Sequence, residues 1–305
     1  MREKQKKKGR SVKKPVSLPA WTGFMVPSLL GVTVFVLFPF ADVVCRSFSS
    51  ALGGRFTGLS NFRTVLCNQA FWLAVKNTVC FTAVCLPILI GTGLLIAVGL
   101  GRMKYARLLK PLFLFPMAMP AATVVLIWHL VFARLGLLNG LADGLFARLP
   151  AVVSEALGLK GGPVRIAYMD TALSFWVLVF SYVWKNLGYT IVLWMAGIAG
   201  IPASVTEAAR IDGAGERQVF RYVILPNLKS SLYTITVLSL LNSFKVFREA
   251  YLVAGAYPQE NIYLLQHLFN NWFVNLELDK MAAGAVLAAA ALLVLILGLP
   301  GLLEE

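Results

Sequence analysis

The residues best placed to do chemistry in this sequence are polar side chains set within long apolar stretches: Asn77, Trp184, Lys185, Asn186, Tyr189, Asn242 and Lys245. Polar groups in a hydrocarbon setting are costly, and those that persist there tend to line cavities or solute pathways. Amide and ammonium groups can hydrogen-bond a polar solute, and the Trp184 indole offers a stacking face. Each also has a packing role open to it. Asn77 can bond a neighbouring helix, Lys245 can pair with Glu249 at i,i+4, and Arg248 can snorkel outward. Catalytic spacing is missing throughout. His129 and His267 have no partners at ligand distance in sequence and read as structural. The four cysteines, Cys45, Cys67, Cys80 and Cys85, follow no metal-ligand pattern. Cys80 and Cys85 read as small buried hydrophobes, and spacing alone does not bring Cys45 and Cys67 together. The chain has no G-x-x-x-x-G-K-[ST] loop to cradle phosphates; Gly158–Gly162 around Lys160 lacks that spacing. No catalytic, metal or nucleotide site is expected.

A second constellation runs from Ile201 to Pro226, IPASVTEAARIDGAGERQVFRYVILP. Ser204 precedes Glu207 by three residues, a capping-box spacing that predicts the start of a short helix. Ala208 and Ala209 keep one side of that helix thin, and Gly213 is suited to end it at positive φ. A second short helix is expected beyond it, with Val219, Phe220, Val223 and Ile224 apolar and Arg217 and Arg221 on another side. Pro226 breaks the pattern and suits a first helical turn. These residues alone allow two readings: a helix–turn–helix elbow with an exposed knuckle, or an amphipathic linker resting among lipid headgroups.

The elements that must carry these residues are membrane spans. The 305-residue chain is 58% hydrophobic and 14% charged, with mean hydropathy +0.75, too little charge for a soluble surface of this size. Six helices of about 20 or more apolar residues are expected at 22–45, 71–100, 108–132, 172–198, 228–254 and 281–303, giving an all-α polytopic membrane protein. The first run is longer than a signal-peptide core and lacks a small-residue cleavage site, so it reads as a retained helix. The chain then divides into a basic tail at 1–20, a first helix and loop at 21–70, and a core at 71–303 holding the 201–226 loop.

The net charge of +14 is clustered: eight basic residues lie between Arg2 and Lys14, and more surround Arg102–Lys110 and Arg210–Lys229. That distribution encodes orientation, with both ends and the 199–227 loop on the cytoplasmic side, and offers no basic domain for nucleic acid. Trp21, Trp72 and Trp272 fall near span ends, where the headgroup zone suits their rings. The alanines and Gly284 between Ala282 and Ala291 read as a close-packing helix face.

The elbow resembles the signature loop of ABC importer permeases. That family shows Glu-Ala-Ala, three residues, Gly, nine residues, then Ile-x-Leu-Pro. Glu207-Ala208-Ala209, Gly213, Leu225 and Pro226 keep that register, with Val223 where Ile is commoner, and Asp212-Gly213-Ala214 fits as well. The resemblance extends to the sugar-importing branch through Gly58-Leu59-Ser60-Asn61-Phe62, Phe71-Trp72, Asn77-Thr78, Gly136-Leu137-Leu138-Asn139 and the stretch Phe244–Glu249. In that last stretch Arg248 stands where the family pattern has Asp, so a role for that Asp is not carried over.

The resemblance implies a type I importer permease of a bacterial inner membrane whose elbow docks on a separate ATPase through Glu207, Ala208, Ala209, Asp212 and Gly213. It implies two ATP-binding subunits that hold ATP and Mg, a second homologous but non-identical permease, an extracytoplasmic binding protein and a sugar cargo, against whose ring Trp184 can stack. The chain itself would hold no cofactor. Three other readings compete: a permease of the same kind for glycerol phosphate, a peptide or a polyamine; an ion-coupled carrier, which needs intramembrane carboxylates; and a membrane enzyme, for which no paired carboxylates or Ser/His set exists in the spans.

Overall fold

In hydrocarbon the backbone must satisfy its own polar groups, so the long apolar runs can settle only as helices. The computed structural model describes residues 21–51, 53–101, 103, 106–146 and 165–304. The basic tail at 1–20 and the Gly158–Gly162 stretch around Lys160 lie outside the described residues. Among the described residues the only β feature is an isolated bridge between Ser49 and Phe56.

Among the described residues, five helices have the length and apolarity of a span: Met25–Ser47, Gln69–Gly101, Ala121–Gly144, Ser174–Ala199 and Leu278–Gly301. A sixth is reached when Glu216–Asn227 and Lys229–Ala254, bent 63° from each other, count as one. Two of the expected rods are broken. The third, expected as one helix over 108–132, is divided into Ala106–Ala118 and Ala121–Phe132 by a break at Met119–Pro120, and the span-length stretch runs on from Ala121 to Gly144. Pro120 supplies no N–H to continue the first helix and stands as the N-cap of the second. The fifth, expected over 228–254, runs as Lys229–Ser243, a 3-10 turn at Phe244–Val246, then Phe247–Ala254.

The second, fourth and fifth spans form the centre. Phe81, Cys85 and Leu89 pack on Leu178, Val179 and Tyr182, with Val246 and Ala250 closing the cluster. Hydrogen bonds fasten the same three elements. The Tyr182 hydroxyl donates to the Ser239 carbonyl at 2.6 Å, Tyr189 and Ser239 hydroxyls meet at 2.8 Å, and Thr82 meets Ser243 at 3.3 Å. Such interspan bonds contribute about 0.6 kcal/mol each on average, so they fix register more than they add strength. The third span joins through Trp128, whose Nε1–H donates to Ser181 Oγ at 2.7 Å. The first span stands apart. Met25, Phe35 and Phe38 are exposed, and its second half, Phe38–Ser47, rests against the sixth span.

Gly188 marks the closest approach of the third and fourth spans. A Cβ there would collide with the Phe113 carbonyl and lie 2.9 Å from Leu114 Cα. Both obstacles are backbone, so no side-chain rotation relieves them. Gly188→Val should destabilise the chain by at least the ~1–3 kcal/mol typical of overpacking, read as a lower unfolding temperature in detergent. An unchanged temperature would contradict this packing.

Beyond the ends of the fifth and sixth spans farthest from the elbow, the segment expected to be a loop at 255–280 carries the helix Leu265–Val274, which folds back onto the bundle. Trp272, expected among headgroups, is buried against Phe71, Leu268 and Ala283 instead. Asn77 holds this helix in place by donating to the carbonyls of Glu260 and Tyr263, the latter at 3.0 Å, and Thr78 Oγ1 accepts the Leu265 N–H at 3.0 Å. His267 is fully buried, its Nδ1 accepting the Leu264 N–H at 3.2 Å, between Phe247 and Tyr263. Burial lowers its pKa to about 4, so the ring is neutral.

The small-residue face is narrower than the sequence implies. Ala282, Ala283 and Gly284 pack closely, whereas Ala289, Ala290 and Ala291 are exposed. Cys85 is buried as expected, but Cys80 is exposed, and Cys45 and Cys67 are free thiols.

Candidate functional site

Two features stand out against the apolar bundle: a polar cavity among the spans and the elbow at one end of them. The cavity lies where the two broken spans meet. Met117, Met119, Pro120 and Ala121 line it from the third, Phe244, Phe247, Arg248 and Glu249 from the fifth, with Lys185 of the fourth and Gln266 and Asn270 of the folded-back helix. Its volume is about 740 Å³. Non-helical backbone is tolerated at membrane depth where it is buried in protein or lines a water-filled cavity, and the breaks at Met119–Pro120 and Phe244–Val246 satisfy that condition together. A second space of about 150 Å³, bounded by Ser181, Asn186, Asn242 and Val246, shares Met117, Lys185 and Glu249 with it.

The wall common to both holds an ion pair. Lys185 Nζ donates to Glu249 Oε1, linking the fourth span to the fifth. The Glu249 side chain is only 6% exposed, so its charge depends on this partner. Pairing of Glu249 with Lys245 at i,i+4, one of the readings open in the sequence, falls on a side chain outside the described residues.

Of the other expected pathway residues, Asn186 and Asn242 reach the smaller space beside Lys185. Asn77 is spent on the folded-back helix, and Tyr189 on Ser239. Trp184 packs edge-on to Trp128 at 5.2 Å and lines a separate apolar groove with Phe132, Trp176 and Phe180. Sequence reasoning missed Glu249 as a cavity residue, together with Gln266 and Asn270. The signal available was a charged Arg248–Glu249 pair inside an apolar stretch, and two amides one turn apart in a segment taken for a loop.

The elbow is built from Ala203–Ile211 and Glu216–Val219. The expected capping box at Ser204 and Glu207 does not form, because the first helix starts two residues earlier, at Ala203 behind Pro202. A related contact stands at the second helix, where Gln218 Oε1 accepts the Gly215 N–H at 2.8 Å. Gly213 adopts φ +86° between the two helices. The Ala214 N–H reaches back to the Ala209 carbonyl at 3.0 Å and closes the first helix end. Arg210 bridges the turn to Glu216 at 2.9 Å, an exposed pair worth little by itself.

Past Glu216–Val219 the chain takes a π turn at Phe220–Ile224 and a short turn at Leu225–Asn227, since Pro226 withholds one amide from the ladder. The 63° bend into the fifth span follows at Leu228. Leu228 and Val219 are both almost fully buried, and Leu228 sits with Ala97, Leu100, Ile191, Trp194 and Ile235 at the ends of the second, fourth and fifth spans. The base of the elbow is thus packed into three spans, while its tip is open. Glu207, Ala208, Asp212 and Gly213 are exposed, Ala209 is half-buried, and Ile211 is 85% exposed.

A bundle of apolar spans around a polar cavity, with an exposed elbow at one end, is the architecture of a membrane permease. The chain belongs to the family of binding-protein-dependent transport system inner membrane components, whose pattern matches residues 89–303; it is an ABC importer permease subunit. It is 30% identical to the arabinooligosaccharides transport system permease protein AraP of Bacillus subtilis, over 90% of this chain and 84% of that one. To the probable starch degradation products transport system permease protein AmyD of Thermoanaerobacterium thermosulfurigenes it is 28% identical, over 89% and 88%. The fold is similar to a chain of a bacterial ABC transporter involved in import of the acidic polysaccharide alginate, at TM-score 0.75 and 17% identity over 93% and 94% of the two chains.

Proposed function

We propose that this permease subunit moves a carbohydrate, delivered by a binding protein, through the Lys185–Glu249 cavity, driven by ATPase subunits that grip the elbow. The observation that carries the coupling half is the elbow itself, anchored in three spans and exposed at Glu207, Ala208, Asp212 and Gly213. A lever fixed at its base transmits a push to the second, fourth and fifth spans, which border or adjoin the cavity. Tilting them opens it to one side or the other. The carbohydrate half is supported by the cargoes for which AraP and AmyD are named.

The elbow face is cytoplasmic in this reading, as are both chain ends, in keeping with the basic residues Arg210, Arg217, Arg221 and Lys229 on that side. ATP and Mg are bound by two partner ATPase subunits, and a second, homologous permease completes the pathway. The carboxylates an ion-coupled carrier would need are otherwise engaged, Asp42 with Arg46 at 2.7 Å and Glu249 with Lys185.

The division of labour is tested with purified protein. The chain alone should turn over no ATP. The assembled transporter in proteoliposomes should hydrolyse ATP faster when its binding protein is loaded with an oligosaccharide. ATP turnover by the isolated chain, or no response to any loaded sugar, would overturn the proposal.

A further inference from the structure

Among the described residues, three charged side chains line the larger cavity: Lys185, Arg248 and Glu249. Glu249 is buried and engaged by Lys185, so those two charges cancel. Arg248 is exposed to the cavity and has no acidic side chain within ion-pair distance among the described residues. Among these three groups the Arg248 guanidinium is the one left uncompensated. An anionic solute is attracted by such a cation over the ~8–10 Å screening length of salt water, an attraction a neutral solute lacks. The guanidinium fork matches a carboxylate or phosphate in two parallel hydrogen bonds. Gln266 and Asn270, one turn apart on Leu265–Val274, offer amide donors and acceptors to hydroxyl groups on the same wall. Phe269 between them presents an apolar ring face. At about 740 Å³ the cavity falls within the ~300–1,000 Å³ of small-ligand sites. The position is also one where the resembling sequence pattern has Asp, so the local charge is reversed here.

We propose that Arg248 selects the cargo and that the cargo is an anionic carbohydrate, its carboxylate or phosphate received by the Arg248 guanidinium. The inference rests on the carbohydrate reading above and narrows it. The test uses the whole transporter with its binding protein in proteoliposomes and three probes: digalacturonate, glucose 6-phosphate and neutral galactobiose. Binding of each probe to the isolated binding protein is measured separately, so that recognition upstream is not credited to the cavity. Uptake of digalacturonate or glucose 6-phosphate should exceed that of galactobiose, and whichever acidic probe is carried identifies the anion. Arg248→Gln should cut uptake of that probe by about tenfold or more, well beyond any loss for galactobiose and with complex recovery unchanged, and Arg248→Lys should restore part of it.

Uptake of galactobiose alone would overturn the inference and leave the carbohydrate reading standing; uptake of none of the three would overturn the inference, while the oligosaccharide-stimulation test above separately decides the carbohydrate reading. An equal loss for all probes in Arg248→Gln, or loss of the assembled complex, would show that Arg248 serves packing or the second permease, and would overturn it too.

Discussion

Gly213→Val should abolish uptake while the chain still inserts in the membrane at normal levels. Gly213 holds φ +86°, and a Cβ at that position would meet nothing within 4 Å. Crowding is therefore not the cause; the backbone conformation is. A left-handed residue costs roughly 1–2 kcal/mol for an L side chain, and a β-branched residue is a true outlier there. The turn can relieve this only by swinging Ala203–Ile211 away from Glu216–Val219, which breaks the Ala214-to-Ala209 bond and the Arg210–Glu216 bridge. Since ~1.4 kcal/mol is a factor of ten in an equilibrium constant, a docked elbow becomes a minor species. None of the buried clusters among the spans includes Gly213, so insertion is spared. Gly213→Asn, which tolerates this conformation better, should keep more uptake than valine. Equal uptake by wild type and valine variant would remove the elbow from the mechanism.

The second large effect is expected at the cavity wall. Lys185→Met leaves the Glu249 carboxylate buried without its partner, and breaking a buried pair from one side costs about 3–5 kcal/mol. Replacing both, Lys185→Met with Glu249→Leu, removes the stranded charge and should recover most of the lost stability, because a well-packed apolar pair often matches a buried ionic one. Thermal unfolding in detergent reads both. Independent, additive losses in the two single variants and the double variant would show that the side chains do not act as a pair. Uptake should fall in all three, since the double variant restores packing but not the polar wall.

Much of this architecture is legible in the chain because hydrocarbon leaves so few options. Apolar runs long enough to cross must be helices, and the second, fourth and sixth fell close to their expected bounds. The Gly213 turn was readable because one residue type tolerates that backbone. What local pattern does not carry is where a span breaks. Pro111 and Pro116 lie within Ala106–Ala118 while the helix ends just before Pro120, so the three prolines do not by themselves say at which of them the span breaks. The 3-10 turn at Phe244–Val246 contains neither proline nor glycine. The partner of Glu249 was equally hidden, since Lys245 is nearer in sequence and Lys185 is reached only through the packing of two spans. Trp272 shows the same limit. Its ring suits a headgroup zone, yet a folded-back helix takes it into the core.

The most direct test of the central claim is a crosslink from the elbow tip. Cys45, Cys67, Cys80 and Cys85 are first replaced, since three of them are exposed thiols. A single cysteine then goes in at Ala208, which is exposed where Ala209 is half-buried. In assembled transporter, Ala208→Cys should crosslink to the ATPase subunit, with a yield that changes when ATP is added. If it labels only with a membrane-impermeant reagent applied from outside the cell, or never captures an ATPase subunit, the elbow is not the handle by which this permease is moved.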